Sequence, residues 1–255
     1  PWRHVVISGW ILDPDRKKMS KSKGNVVTPE DLLTEWSSDA VRYWAARARL
    51  GADTAYDPGV FKVGRRLAVK VFNASRFVIM QLDRGEGPGG YPGVEAVTDP
   101  LDLAMVGRMR KVIGQATSSF DSFDYAAALQ ATEEAFWNFC DHYLELVKIR
   151  SYQDEDSAER RSALAGLCWG LKSFLRLLAP FLPYITEEVW SWRFAGKGRE
   201  RSVHTSPWPG FDEVSAVPLP SYEDTFDAAI NVLSEIRATK TQAQKSLRWP
   251  VRRLV

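Results

Sequence analysis

The chain has 255 residues, a length that suits one or two domains, and its 45% apolar and 26% charged content excludes a wholly disordered protein. No uninterrupted run of about 18 apolar residues occurs, so a membrane-spanning helix is not expected. Net charge is only +2, but 34 basic and 32 acidic residues are unevenly spread. Arg16, Lys17, Lys18, Lys21 and Lys23 cluster without an acid, as do Lys62, Arg65, Arg66, Lys70 and Arg76, whereas residues 121–159 hold ten acids against Lys148 and Arg150. Such segregation steers a polyanion toward chosen surfaces, although helices with solvated faces of opposite sign would look the same. Cys140 and Cys168 are too few for a disulfide framework or a zinc site, and that usage fits a reducing compartment. The first residues, Pro1-Trp2-Arg3-His4, carry neither a start methionine nor a signal peptide, so a piece of a longer chain is expected.

In chain order, residues 4–12 form a β-branched and aromatic run that predicts a buried strand. A polar, lysine-rich loop follows to Asn25. Thr28, Pro29, Glu30 and Asp31 then predict a helix start, with Thr28 as N-cap and Pro29 in the first turn. Ser38 predicts the cap of a second short helix, ended by Gly51, and the pattern stays helical to Gln81. Residues 85–100 are too rich in Gly and Pro for either element.

Three longer helices are then expected, at 101–119, 125–151 and 158–178. Leu129, Phe136, Cys140, Tyr143 and Val147 share one face of the second, and Leu164, Leu167, Leu171, Phe174 and Leu178 share one of the third. Residues 179–183 break the pattern and a short helix carries Thr186, Glu187 and Glu188. A loose stretch spans 196–220, a last helix 222–242, and Val251 is a candidate strand start. The expected fold class is mainly α: a short strand and loop with connecting helices, then a helical bundle.

Chemistry concentrates in Lys18-Met19-Ser20-Lys21-Ser22, continuing Lys23-Gly24-Asn25. Small hydroxyl residues between mobile ammonium groups suit a polyphosphate, and Gly24 supplies a turn. A solvated lysine loop is the commoner fate of such composition. The residue order separates the two, because a fixed five-residue match arises by chance on the order of once in ten thousand chains of this size.

That order is the KMSKS signature, and the chain resembles the class I aminoacyl-tRNA synthetases. Lys23-Gly24-Asn25-Val26-Val27 with Pro29, and Ser38-Asp39-Ala40-Val41-Arg42-Tyr43, are similar to the valine, isoleucine and leucine subgroup. Asn73-Ala74-Ser75-Arg76-Phe77 and Phe139-Cys140-Asp141-His142-Tyr143-Leu144-Glu145 resemble the valyl-tRNA synthetase family; Pro180 to Trp190 is shared more widely. The resemblance covers nearly all of residues 1–250. It implies activation of valine by ATP (with Mg2+) and transfer to tRNA(Val), in the cytoplasm, with neither membrane nor DNA as partner. Lys18 and Lys21 would be catalytic, and Lys18, Met19, Ser20, Lys21 and Ser22 would contact ATP. The implied organisation is a loop-bearing segment at 1–57, an anticodon-binding bundle at 58–242, and the start of a further subdomain at 243–255. An isoleucyl relative and a free-standing helical RNA-binding module are the rival readings.

The family's other signature, a His-x-Gly-His type motif, is absent, since His4, His142 and His204 lack such neighbours. The valine pocket and editing insertion lie upstream in the family, so this chain alone is expected to be inactive. On the helix from Val60 to Gln81, Leu67, Val71, Ala74 and Val78 give a core stripe, and Arg66, Lys70, Asn73 and Phe77 repeat it about 100° around. Two cations, an amide and an aromatic suit backbone phosphates and an unpaired base. Spacing alone leaves Phe77 equally suited to widening the core, and the resemblance favours RNA; Arg76 joins the set on the same resemblance. Cys140 and Cys168 are expected in the core without metal. Trp137, Trp169 and Trp190 are expected to pack, Glu187 and Glu188 to serve helix capping, and His204 and Trp208 to be structural.

Overall fold

The computed structural model describes residues 1–84, 92–251 and 253. The fold is mainly α. After β1 (Ile11–Leu12) come α1 (Pro29–Trp36) and α2 (Ser38–Ala46), then β2 (Thr54–Ala55), which pairs parallel to β1. The bundle follows as α3 (Pro58–Arg84), α4 (Pro100–Asp121), α5 (Tyr125–Asn138), α6 (Leu144–Ser151), α7 (Ala158–Leu178), α8 (Pro183–Arg193) and α9 (Thr225–Gln242).

α7 is the axle. All but four of its 21 residues are buried, and it packs against α3, α4, α5, α6 and α8. A helix apolar nearly all round needs neighbours on every side. α3 contributes the expected stripe of Leu67, Val71, Ala74 and Val78, extended by Phe61 and Leu82 at its ends. Starts are fixed by side chains: Asp99 accepts from Leu101 N, Asp124 from Ala127 N, and Ser157 from Arg160 N.

The expected single helix over 125–151 is interrupted by one π-helical turn, Phe139–Tyr143, between α5 and α6. That turn delivers the buried Tyr143 hydroxyl to Asp102 Oδ1 at 2.8 Å. Arg150 grips the same carboxylate with Nη1 and Nη2, both at 2.9 Å, and Ser162 Oγ donates to it at 2.6 Å. Burial, then the Asp102 charge, push the Tyr143 pKa well above its ordinary value. Gly166 lets α7 approach, since a Cβ there would stand 2.3 Å from the Tyr143 hydroxyl.

The front of the chain departs from expectation. Only Ile11 and Leu12 of residues 4–12 form a strand, and Val5, Val6, Ile7 and Trp10 are exposed rather than buried. β-branched residues favour extended backbone, but burial needs a neighbour over both faces, and no described element covers this run. β2 is too short to leave a pattern. The cap of α2 is Ser37 (φ 83°), one residue before the expected Ser38, and α2 ends at Ala46, before Gly51. The linker residues 85–91, and residues 252, 254 and 255 after the candidate strand start at Val251, lie outside the described residues.

The front is nonetheless locked onto the bundle. Asp39 of α2 accepts from Tyr184 N (3.1 Å) and Ile185 N (2.8 Å), the free N–H groups at the start of α8. Burial raises the Asp39 pKa against the pull of those donors. Arg42 Nη2 donates to Pro180 O at 2.8 Å, and the Tyr43 hydroxyl donates to Glu133 of α5 at 2.7 Å. Gly64 brings α3 against the Tyr43 ring, where a Cβ would be 2.8 Å away.

Candidate active-site loop and nucleic-acid interface

The lysine loop is closed by a polar clasp. Asp13 Oδ1 accepts from Lys17 N (2.7 Å), and Asp13 Oδ2 accepts from Asn25 Nδ2 (2.7 Å). Asn25 Oδ1 in turn accepts from Ser20 N at 2.9 Å, so one carboxylate and one amide tie both ends of the loop. The Lys17 N–H and then the Asn25 amide hold the Asp13 carboxyl below its ordinary range. Residues Lys21–Lys23 make one 3-10 turn, and Gly24 ends it at φ 67°, a left-handed value that glycine adopts without strain. The Ser20 and Ser22 hydroxyls are 3.2 Å apart.

Within that frame the expected residues separate. Lys21 and Ser22 are exposed, with Met19 and Ser20 half-buried below them. Lys21 has no ion-pair partner among the described residues. Lys18 is also exposed, but its ammonium stands 3.8 Å from the centre of the Trp10 ring, a cation–π contact. Sequence reasoning missed the roles of Asp13 and Trp10. Neither falls in the signature, and a clasp across twelve residues leaves no periodic trace.

On α3, Arg66, Asn73 and Arg76 are exposed. The Arg76 guanidinium lies over the Phe72 ring at 5.7 Å, and Phe72 meets Trp192 of α8 edge-on. Lys70 is less free than expected, because its ammonium is 2.6 Å from Asp141 Oδ1 and 5.2 Å over the Trp137 ring. Phe77 is half-buried: it packs against the main core and lies 6.2 Å from Tyr152, yet also lines an open depression of about 650 Å³ with Asn73, Arg76, Met80, Arg84 and Trp192. The two readings of Phe77 therefore meet in one side chain. Arg66 and Lys70 line a different depression, so Asn73 divides the expected set in two.

The remaining candidates are structural. Glu187 accepts from Ser202 Oγ and Val203 N, both at 2.9 Å, and so pins the loop after α8; Glu188 accepts from Trp192 Nε1 at 3.0 Å. His204 Nε2 lies 3.1 Å from Pro183 O, and Trp208 Nε1 donates to Thr117 Oγ1 at 2.9 Å. Trp169 and Trp190 are in the core and Trp137 packs on its edge. Both cysteines are buried, and burial pushes the Cys140 thiol up to about 12. Among the described residues no group of three or more His, Cys, Asp or Glu gathers to hold a metal ion, and no helix is long and apolar enough to cross a membrane.

Residues 1–57 match the model of the tRNA synthetases class I (I, L, M and V), and residues 102–255 match the anticodon-binding domain of tRNA ligase. The fold is similar to the crystal structure of the ternary complex of Agrobacterium radiobacter K84 agnB2 LeuRS-tRNA-LeuAMS. The TM-score is 0.60 at 22% identity, over 92% of this chain and 30% of that one. With the second match covering more than half its length, the chain belongs to the family of tRNA ligases that carry this anticodon-binding domain. Its curated relatives are narrower. It is 48% identical to the valine--tRNA ligase of Salinispora arenicola and 49% identical to that of Thermobifida fusca, in each case over 100% of its length. The valine--tRNA ligase of Bifidobacterium longum is 44% identical over 98% of it. The chain spans about 30% of the length of these relatives.

Proposed function

We propose that the chain is the part of a valine--tRNA ligase that supplies the ATP-closing loop and the tRNA anticodon-binding bundle. The observation that carries this is the fixed connection between the two: Asp39 and Tyr43 bolt the loop-bearing segment 1–57 to α8 and α5, and Arg42 bolts it to Pro180 in the turn before α8. Residues 58–242 form the bundle in this reading, and 243–255 open a further subdomain. In the whole enzyme the valine carboxylate attacks the α-phosphorus of ATP, the bond to pyrophosphate breaks, and valyl-adenylate forms. A terminal ribose hydroxyl of tRNA(Val) then takes the valyl group and releases AMP. Lys18 and Lys21 stabilise negative charge that builds on the phosphates during the first step, a role for preorganised cations. Met19, Ser20 and Ser22 shape the loop against ATP, which reaches it as the magnesium complex. Arg66, Lys70, Asn73, Arg76 and Phe77 contact the tRNA(Val) anticodon arm. The compartment is the cytoplasm.

Two measurements test the reading. The chain alone is expected to bind tRNA(Val) more tightly than tRNA(Ile) or tRNA(Leu) in filter-binding isotherms; equal or reversed affinities refute the valine assignment. It is also expected to give no valine-dependent exchange of pyrophosphate with ATP. Joined to the upstream catalytic portion of a valine--tRNA ligase, it is expected to lose that exchange on Lys21→Ala. Unchanged exchange removes Lys21 from the chemistry.

A further inference from the structure

On the side of Asn73 away from Phe77, a second open depression of about 570 Å³ is lined by Val69, by Trp36 of α1, by Trp137 of α5, and by the cations Lys62, Arg65, Arg66 and Lys70. No carboxylate lines it, although Asp141 holds Lys70 from outside. Val69 is 52% exposed on an otherwise charged helix face, and both indoles are half-buried, leaving part of each ring uncovered. The Trp36 ring is fixed by stacking on Phe61 at 6.1 Å and 20°. Its indole N–H is buried and has no acceptor among the described residues.

We infer that this depression takes an unpaired nucleotide of the same RNA that α3 carries near Phe77, with its base against Trp137 or Trp36 and its phosphate on Lys62, Arg65 or Arg66. The inference rests on the reading of α3 as an RNA-facing helix and goes beyond it by assigning Trp36, Trp137, Val69, Lys62 and Arg65. Flat aromatic faces beside cations are the combination that holds single-stranded nucleic acid. A purely apolar ligand would leave Lys62, Arg65 and Arg66 facing it without counter-charge. The two depressions share Asn73, and Val69 and Met80 are eleven residues apart, roughly 16 Å along the helix axis. One strand can therefore occupy both. Because Trp36 ends α1, the helix that follows the lysine loop, a nucleotide here would touch the loop-bearing segment as well as the bundle.

The test uses this chain and a synthetic anticodon stem-loop of tRNA(Val) carrying 5-iodouridine at one loop position at a time. Irradiated complexes are digested and the cross-linked peptides identified by mass spectrometry. The expected result is cross-linking of one position to the peptide holding Trp137 or Trp36 and of another to that holding Phe77. Cross-links confined to Phe77 overturn this inference and leave the function reading standing, whereas cross-links to neither side of α3 overturn both. Trp137→Leu is expected to weaken stem-loop binding by roughly 5- to 150-fold, with Trp137→Phe keeping most of it. Trp36→Leu is the matching variant for the other ring, and folded Trp137→Leu and Trp36→Leu proteins that both bind with unchanged affinity contradict the inference. Should those variants melt, Lys62→Ala, Arg65→Ala and Arg66→Ala alter only exposed side chains; at least one is expected to reduce the slope of log affinity against log salt by about one unit or less. Unchanged slopes for all three overturn the inference.

Discussion

The two ends of the molecule are held by different forces. In the bundle, α7 is encased by five helices, and a knot of four polar side chains, Asp102, Tyr143, Arg150 and Ser162, is held together on the Asp102 carboxylate. In the front segment, Trp2, Val5, Ile7 and Trp10 lie exposed, and the lysine loop is held by a carboxylate, an amide and one ring. Only Leu32, Trp44 and Phe61 form a second small core beneath it. The contrast separates tasks. On the proposed function, a surface that docks a polyanion gains from a stiff frame, whereas a loop that closes over a nucleotide gains from contacts that exchange readily with water.

The sharpest way to break this contrast is to cut the bundle's polar knot. Asp102→Ala leaves the largely buried Arg150 with Asp99 alone at 3.2 Å and strands the Tyr143 and Ser162 hydroxyls, so the loss is expected near the lower end of the roughly 3–5 kcal/mol that breaking a buried pair costs. Chemical denaturation should show that loss. A change below about 1 kcal/mol would mean that the knot contributes nothing beyond packing.

A smaller effect follows acid. Glu213 pairs with the buried Arg176 through Nη1 and Nη2 at 2.6 and 2.7 Å. Burial opposes its charge, but the Arg176 bonds win and hold its pKa below the ordinary value. A depressed carboxylate contributes stability that is fully present above the unfolded pKa near 4.3 and is lost as pH falls through the folded one. Glu213→Gln should therefore lower stability by about 1–2 kcal/mol at pH 7 and flatten the acid limb of the stability curve below about pH 4.5. An acid limb as steep as in the parent would place the proton uptake elsewhere.

The bundle was largely legible in the sequence because apolar periodicity records burial. Leu164, Leu167, Leu171, Phe174 and Leu178 mark α7, and all five are in the core. The π turn was not legible, since it adds a residue to one turn while the spacing of apolar residues around it still reads as helical. The front run misled for the opposite reason: Val5, Val6 and Ile7 carry strand propensity but no information on what covers them. In the site, residue order exposed the lysine loop, and helical spacing placed Arg66, Lys70, Asn73 and Phe77 beside the core stripe. Neither could show that Asp141 occupies Lys70, that Lys18 rests on Trp10, or that Asp13 and Asn25 clasp the loop. Those contacts join distant positions through single polar or aromatic groups.

The smallest effect belongs to that clasp. Asn25→Ala removes the bonds to Ser20 N and Asp13, worth about 0.5–1.5 kcal/mol each and confined to the loop. Thermal unfolding should not move, while amide exchange at Ser20 and Lys17 should quicken. A lowered melting temperature would show that the loop is part of the cooperative unit, against the contrast drawn between the two ends.

The claim that α3 faces RNA is tested most directly by salt-dependent binding of tRNA(Val) to Phe77→Ala, Lys70→Ala and Asp141→Asn, with thermal unfolding measured alongside. Phe77→Ala should lose about 1–3 kcal/mol of binding at every salt concentration, because stacking is not screened. Lys70→Ala should weaken binding mainly at low salt, lowering the slope by about one unit or less, and Asp141→Asn should strengthen it there by freeing Lys70 for a phosphate. Phe77→Ala protein that melts much earlier, but binds tRNA as before while folded, would make Phe77 a core residue only. With unchanged slopes in the two charge variants, that result would contradict the assignment of this face to RNA.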